Sequence, residues 1–210
     1  AQYQAALRSV TYTNSSDLPV DGVRTIGFSA NDGSASSAVA SKSVSVIPVN
    51  DAPINRLPAA QTVAQGGALA FSSANGNAIT VTDADPSPFS YEVLLEAVDG
   101  TIRLTSTSGL TWVSGNDGNS DHIFFEGNLS AINAALNSLV FTPQAGFYGA
   151  TPLGIWVDDL GGPPDIGGPT YDQDTLAITV TQPAAQVTRV IATTGWHLQS
   201  GRHRHHCRHL

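Results

Sequence analysis

The chain has 210 residues and a formal net charge of −8, with 12% charged and 41% hydrophobic residues. This composition is richer in apolar residues than that of disordered chains, and the acidic balance argues against nucleic acid and anionic membranes as partners. Cys207 is the single cysteine, so no disulfide can form within the chain. No apolar stretch approaches the length of a membrane span, so we expect no direct membrane insertion.

Short strand signals separated by turns begin within the first fifty residues. Alternating apolar and polar residues favour three strands, over 10–13, 23–30 and 42–47. Pro48, Pro53 and Pro58 follow, and because proline cannot donate to a strand ladder, they mark a stiff linker.

The rest of the sequence up to residue 182 carries further strands. Nine are expected, over 68–71, 79–82, 90–96, 101–105, 110–113, 123–125, 139–142, 151–157 and 174–181. One short helix lies among them, because Ile132, Ala135 and Leu136 recur at helical spacing, and Ser130 is the expected cap. These patterns predict an all-β sandwich with one short helix.

Part of the sequence occurs twice, which is typical of tandem-repeat architectures. The segment 3–13 reads YQAALRSVTYT and 132–142 reads INAALNSLVFT, while 22–32 runs parallel to 149–159. We therefore expect four parts: the C-terminal part of a first module, a linker, a complete second module and an unrelated tail, over 1–49, 50–58, 59–182 and 183–210. We interpret the His- and Arg-rich tail as disordered or foreign to the fold; the alternative is a zinc or copper site that includes Cys207.

The second module carries an ordered series of motifs: DGTIRL at 99–104, GLTW at 109–112, INAAL at 132–136, LVFTP at 139–143 and DTLAITV at 174–180. Together with the linker VNDAP at 49–53, their order and spacing resemble the bacterial cadherin-like repeats of large surface adhesins. The resemblance covers roughly residues 1–182. It implies a Greek-key β-sandwich of cadherin or immunoglobulin type, export to the cell surface or the extracellular space, and calcium at the junctions between modules.

Four residues near the linker are candidate calcium ligands: Asn50, Asp51, Asp83 and Asp85. Calcium takes about 6–8 oxygen ligands, and alternation along an extended segment places Asp83 and Asp85 on one side. The arrangement resembles the cadherin linker with the Asp-x-Asp of the following module, although Pro48 stands where that linker has its first Asp. The alternative is that these residues form turns and caps.

Other acidic residues indicate weaker possibilities. Asp158 and Asp159 could bind a metal with Asp172 and Asp174, but adjacent acids in a strand point to opposite faces. Three glutamates, Glu92, Glu96 and Glu126, are available for glycosidase chemistry, and His122 is the only histidine outside the tail. Nothing sets the distance between these glutamates, and no nucleophile elbow or nucleotide-binding fingerprint is present. We expect no catalysis.

The sequence thus predicts a non-catalytic, calcium-dependent cadherin-like module of a secreted or cell-surface adhesin, serving as a rigid spacer and in cell adhesion. Its expected partners are neighbouring modules of the same chain, with homophilic contact or a glycan ligand as further possibilities. The alternative is a carbohydrate-binding module whose aromatic platform is Trp112 with Trp156, or Tyr91 with Phe147. Such aromatic side chains also serve to fill sandwich cores.

Overall fold

The computed structural model describes residues 2–84, 90–115, 120–161, 168 and 170–183. The predicted ligand Asp85 and the tail from residue 184 onward, including Cys207, lie outside the described residues. The elements up to residue 49 are α1 (Gln2–Arg8), β1 (Gly22–Phe28) and β2 (Ala40–Val46). β1 and β2 form a separate antiparallel hairpin.

The second part of the chain is a β-sandwich with one short helix, as predicted. Its elements are β3 (Ile54–Arg56), β4 (Gln61–Ala64), β5 (Leu69–Ala70), β6 (Thr80–Thr82), β7 (Tyr91–Ala97), β8 (Gly100–Leu104), β9 (Leu110–Ser114), β10 (His122–Gly127), α2 (Leu129–Leu136), β11 (Leu139–Pro143), β12 (Gly149–Asp158) and β13 (Tyr171–Thr181). The sequence patterns identified most of these strands, but they gave no sign of β3, which lies within the predicted linker, or of β4.

One large sheet and one smaller sheet enclose the core. The large sheet has the order β4-β13-β12-β7-β10-β9, and the smaller one has the order β5-β11-β8. Neighbours pair antiparallel except for β13 and β4, which run parallel. β3 pairs with β6 in a two-stranded ladder of its own. Buried residues of both sheets and of α2 belong to a single hydrophobic cluster, so the second part has one core.

Strict alternation along the central strand β7 divides the large sheet into an inner and an outer face. Tyr91, Val93 and Leu95 are fully buried, whereas Glu92 and Leu94 are half-buried. Each fully buried aliphatic side chain of this kind contributes about 1.5–3 kcal/mol. The alternation therefore fixes the register of the strand, because a one-residue slip would turn this apolar face to water.

The helix α2 begins two residues earlier than expected. Asn128, not Ser130, is the N-cap, and its side chain accepts a hydrogen bond of 2.9 Å from the backbone N–H of Ala131. Ser130 lies inside the first turn, where its side chain cannot fill that role. Asn133 then joins the helix to β6, because its side-chain amide bonds both the N–H and the C=O of Val81, at 2.8 and 2.9 Å.

The hairpin β1–β2 has the same register as β12–β13. Gly22 faces Val46 at one end of the first hairpin, and Gly149 faces Val180 at the same place in the second. Both glycines have positive φ angles, 124° and 123°, which L side chains rarely adopt. Residues 10–13, however, form no strand although they match β11 in sequence, since no described strand lies beside them to complete a ladder.

Candidate functional site

The linker is attached to the sandwich by a buried amide–carboxylate contact. Asn50 is 6% exposed and Asp159 is 2% exposed. The Asn50 side-chain N–H donates to Asp159 Oδ2 at 2.9 Å, and the backbone N–H of Gly161 donates to Asp159 Oδ1 at 2.9 Å. Asp159 directly follows β12, so this contact lies at the end of a strand in the large sheet.

A second attachment lies five residues further along the linker. The backbone N–H of Asn55, in β3, donates to Asp172 Oδ2 of β13 at 2.8 Å. The Asn55 side chain is 8% exposed, and among the described residues neither its Oδ1 nor its Nδ2 has a hydrogen-bond partner. A buried amide without partners costs about 1–3 kcal/mol, so its presence calls for a ligand or a bound water.

The end of β6 supplies a third oxygen-bearing side chain. β3 pairs with β6 so that Ile54 faces Thr82, and Asp83 follows directly. Asp83 Oδ2 accepts a hydrogen bond of 2.8 Å from the hydroxyl of the buried Tyr91 at the start of β7.

Strand pairing brings the two linker attachments and the Asp83–Tyr91 hydrogen bond to the same end of the sandwich. Asp158 of β12 faces both Glu92 of β7 and Tyr171 of β13. Asp159, Tyr91 and Asp172 are therefore near neighbours along adjacent strands. Their side chains project inward, whereas Asp158 lies in the outer row, consistent with the expectation that adjacent acids point to opposite faces.

The predicted calcium ligands are only partly located by the structure. Asn50 and Asp83 both lie at this end, Asp51 is exposed beside Asn50, and Asp85 is outside the described residues. Within the described ranges, no group of three or more His, Cys, Asp or Glu side chains lies in an arrangement that could hold a metal ion. Calcium also accepts amide and backbone oxygens, and the buried Oδ1 of Asn55 is such a donor. The chemistry of the available oxygens fits calcium, and the ligand set stays a prediction.

Sequence reasoning missed Asn55 and did not connect Asp159 or Asp172 with the linker. Asn50 and Asp159 are 109 residues apart in sequence, so no local pattern could pair them. The sequence did carry one signal for Asp159 and Asp172, because each of these acids lies at one end of an apolar strand.

The outer face of the large sheet carries a row of carboxylates. Glu126, Glu92 and Asp158 follow one another across β10, β7 and β12. Partial burial, followed by repulsion from Glu126 and then from Asp158, raises the pKa of Glu92. Glu96 lies on the same face, opposite His122, whose ring Nδ1 is 2.9 Å from Asp121 Oδ1. This exposed pair lowers the pKa of Asp121 mainly through the hydrogen bond, and such pairs contribute little stability.

The predicted aromatic platforms do not form. Trp112 packs edge-to-face on Phe125 against the core, with ring centroids 5.8 Å apart, because the β9–β10 pairing places it opposite this inward-facing residue. Trp156 lies on the outer face, in tilted contact with Tyr171 at 6.2 Å. The two tryptophans are thus on opposite faces of the sheet. The second pair fails because Tyr91 is fully buried and Phe147 packs against the core.

No protein-family model matches this chain, and no curated protein sequence matches it. Among solved structures, the chain is similar to AggA, the major subunit of aggregative adherence fimbriae type I from Escherichia coli. The similarity covers 66% of this chain and 99% of that chain, with 17% sequence identity and a TM-score of 0.35. A likeness of this level supports no conclusion about function. No helix within the described part of the chain is long and apolar enough to span a membrane.

Proposed function

We propose that this chain is a non-catalytic part of a cell-surface or secreted adhesin, in which the sandwich is a spacer whose linker is held rigidly against its end. The observation that carries this proposal is the buried contact of Asn50 with Asp159. A hydrogen bond to a carboxylate contributes about 1.5–3 kcal/mol, and it adds to the restraint that the pairing of β3 with β6 already places on the linker. The resemblance to cadherin-like repeats supports export and adhesion.

We further propose that calcium binds at this end of the sandwich. The proposed ligands are Asn50, Asp51, Asp83 and Asp85, and the structure adds the Oδ1 of Asn55 as a buried oxygen in need of a partner. Bound calcium would supply positive charge among acids that otherwise repel one another. It would thereby hold the linker and the end of β6 together.

Thermal unfolding with calcium, with magnesium and with EGTA tests this proposal. A ligand at 100 times its Kd stabilises the folded state by about 2.7 kcal/mol, which corresponds to a rise in Tm of about 5–10 °C for a domain of this size. Asp83→Asn should remove most of this rise. Asp121→Asn, at the opposite end of the sheet, is the matched control and should retain it. Equal melting curves in calcium and in EGTA would rule out the calcium site but leave the spacer proposal standing.

Asn55→Ala separates a structural role of this amide from a ligand role. Without a bound ion, removal of a buried amide that has no partner should leave the Tm in EGTA unchanged or raise it. With calcium present, the same variant should show a smaller shift than the wild type. A full calcium shift in Asn55→Ala would exclude Asn55 as a ligand.

A further inference from the structure

The outer face of the large sheet carries an apolar row beside the carboxylate row. Phe124 of β10, Leu94 of β7 and Trp156 of β12 face one another in register, and Gln173 of β13 continues the row. Phe124, Leu94 and Trp156 are half-buried, and Gln173 is exposed. Outward positions of an antiparallel sheet are ordinarily polar where they meet water, so this row needs an explanation.

A shallow groove of about 250 Å³ lies along this row, lined by Leu94, Glu96, Gly154, Trp156 and Gln173. Gly154 opens the groove, because the absence of a side chain there leaves a notch between Trp156 and Glu96. A Cβ atom placed on Gly154 would meet its nearest neighbour, Glu96 Cβ, at 3.8 Å. A Cβ atom is therefore accommodated without a clash, and a longer side chain at this position would extend into the groove.

The chemistry of the groove combines an aromatic ring with hydrogen-bonding groups of both kinds. Trp156, supported by Tyr171 at 6.2 Å, offers an apolar ring. The Glu96 carboxylate accepts hydrogen bonds, and the Gln173 amide both donates and accepts. A sugar ring matches this set, since its C–H face packs on aromatic rings and its hydroxyl groups donate and accept. A guanidinium group only donates, so it would pair with the Glu96 carboxylate but make no use of the Gln173 N–H groups.

Charge and size restrict the ligand further. The six strands of this sheet contain no Lys or Arg, while Glu92, Glu126 and Asp158 lie along one side of the row and Glu96 lies on the other. Sialylated or sulfated sugars would be repelled. The groove is smaller than the roughly 300–1,000 Å³ typical of sites that enclose drug-sized ligands, which suits one ring of a longer chain. We infer that the outer face of the large sheet binds a neutral oligosaccharide, with one sugar ring stacked on Trp156.

A glycan array that carries neutral oligosaccharides and their sialylated and sulfated counterparts tests this inference, with affinities measured by calorimetry. Binding to neutral members is expected, and loss of the stacked ring in Trp156→Ala should weaken it about tenfold or more. Val113→Ala, on the exposed edge strand β9, is the control and should bind normally. Absence of binding to any neutral glycan on the array would overturn the inference.

Gly154→Leu guards against a folding defect in Trp156→Ala, because it blocks the groove without removing packed atoms. It should melt as the wild type does and fail to bind the glycan. Unchanged binding in Gly154→Leu would place the sugar elsewhere and overturn the inference. Binding of an arginine-rich peptide in place of any glycan would overturn it as well. The groove shares no residue with the linker site, so this result is independent of the calcium titration.

Discussion

The hairpins β1–β2 and β12–β13 share a register and an initial glycine of positive φ, but they differ in burial. Leu153 and Ile155 of β12 are 1% and 2% exposed, whereas Ile26 and Phe28, at the matching places of β1, are only half-buried. β12 is flanked by β7 and covered by the smaller sheet, and β1 pairs with β2 alone among the described strands. Local sequence therefore determines how such a hairpin pairs, and its neighbours determine how much stability it contributes.

The two hairpins should differ most in how much free energy of unfolding is lost when an apolar side chain is truncated. Leu153→Ala should lower the free energy of unfolding of the sandwich by about 2–5 kcal/mol, because the site is fully packed. Ile26→Ala should leave that value unchanged. Urea unfolding followed by tryptophan fluorescence checks this, since Trp112 and Trp156 both lie in the sandwich. Equal losses from the two variants would show that the hairpins share one core.

The acids that follow β1 and β12 provide the second contrast. Asp32 accepts hydrogen bonds from Ser34 and Ala35 at 2.9 and 2.8 Å within an exposed turn. Its repeat counterpart Asp159 is buried and anchors Asn50. Asp159→Ala should therefore cost about 1.5–3 kcal/mol, and Asp32→Ala should cost much less, because solvent surrounds its side chain.

Thermal melting of the two variants checks this order, and limited proteolysis adds a specific readout. Asp159→Ala should release the linker and expose it to cleavage, while Asp32→Ala should not. A protease-resistant linker in Asp159→Ala would contradict the anchoring role.

The smallest expected effects are those of pH, and they have opposite signs in the two regions. Hydrogen bonds from the backbone N–H groups of Ala35 and Ser34 lower the pKa of Asp32. Its contribution is thus present above the unfolded pKa and is lost as pH falls through the folded value. Burial, Glu126 and Asp158 raise the pKa of Glu92. Its contribution is complete below the unfolded pKa and is lost as pH rises through the folded value.

Glu92→Gln tests the second case. It should stabilise the sandwich at neutral pH by about 0.5 kcal/mol or less, because solvent screens this partly exposed side chain. The gain should vanish in acid, below the unfolded pKa of a glutamate. Melting curves of the variant and the wild type across this range measure the difference. A gain that persists in acid would assign the effect to packing rather than to charge.

Periodicity predicted the strands with one buried face, such as β7 with Tyr91, Val93 and Leu95, because the alternation is visible in consecutive residues. It could not predict β3 and β4, which are short and depend on distant partners. It also placed Trp112 and Trp156 together, since the strand pairing that sets Trp112 opposite Phe125 of the core has no local signal. The contact of Asn50 with Asp159 could not be predicted either, because it depends on the topology of the fold and not on neighbouring residues.

The parallel pairing of β4 with β13 has a mechanical consequence. Gln61 to Ala64 lie beside Ile178 to Thr181, with one strand near the entry of the sandwich and the other near its exit. Tension applied at these two ends pulls the paired strands past each other lengthwise. Their hydrogen bonds then share the load and must rupture together rather than one by one, which raises the force needed to open the sandwich.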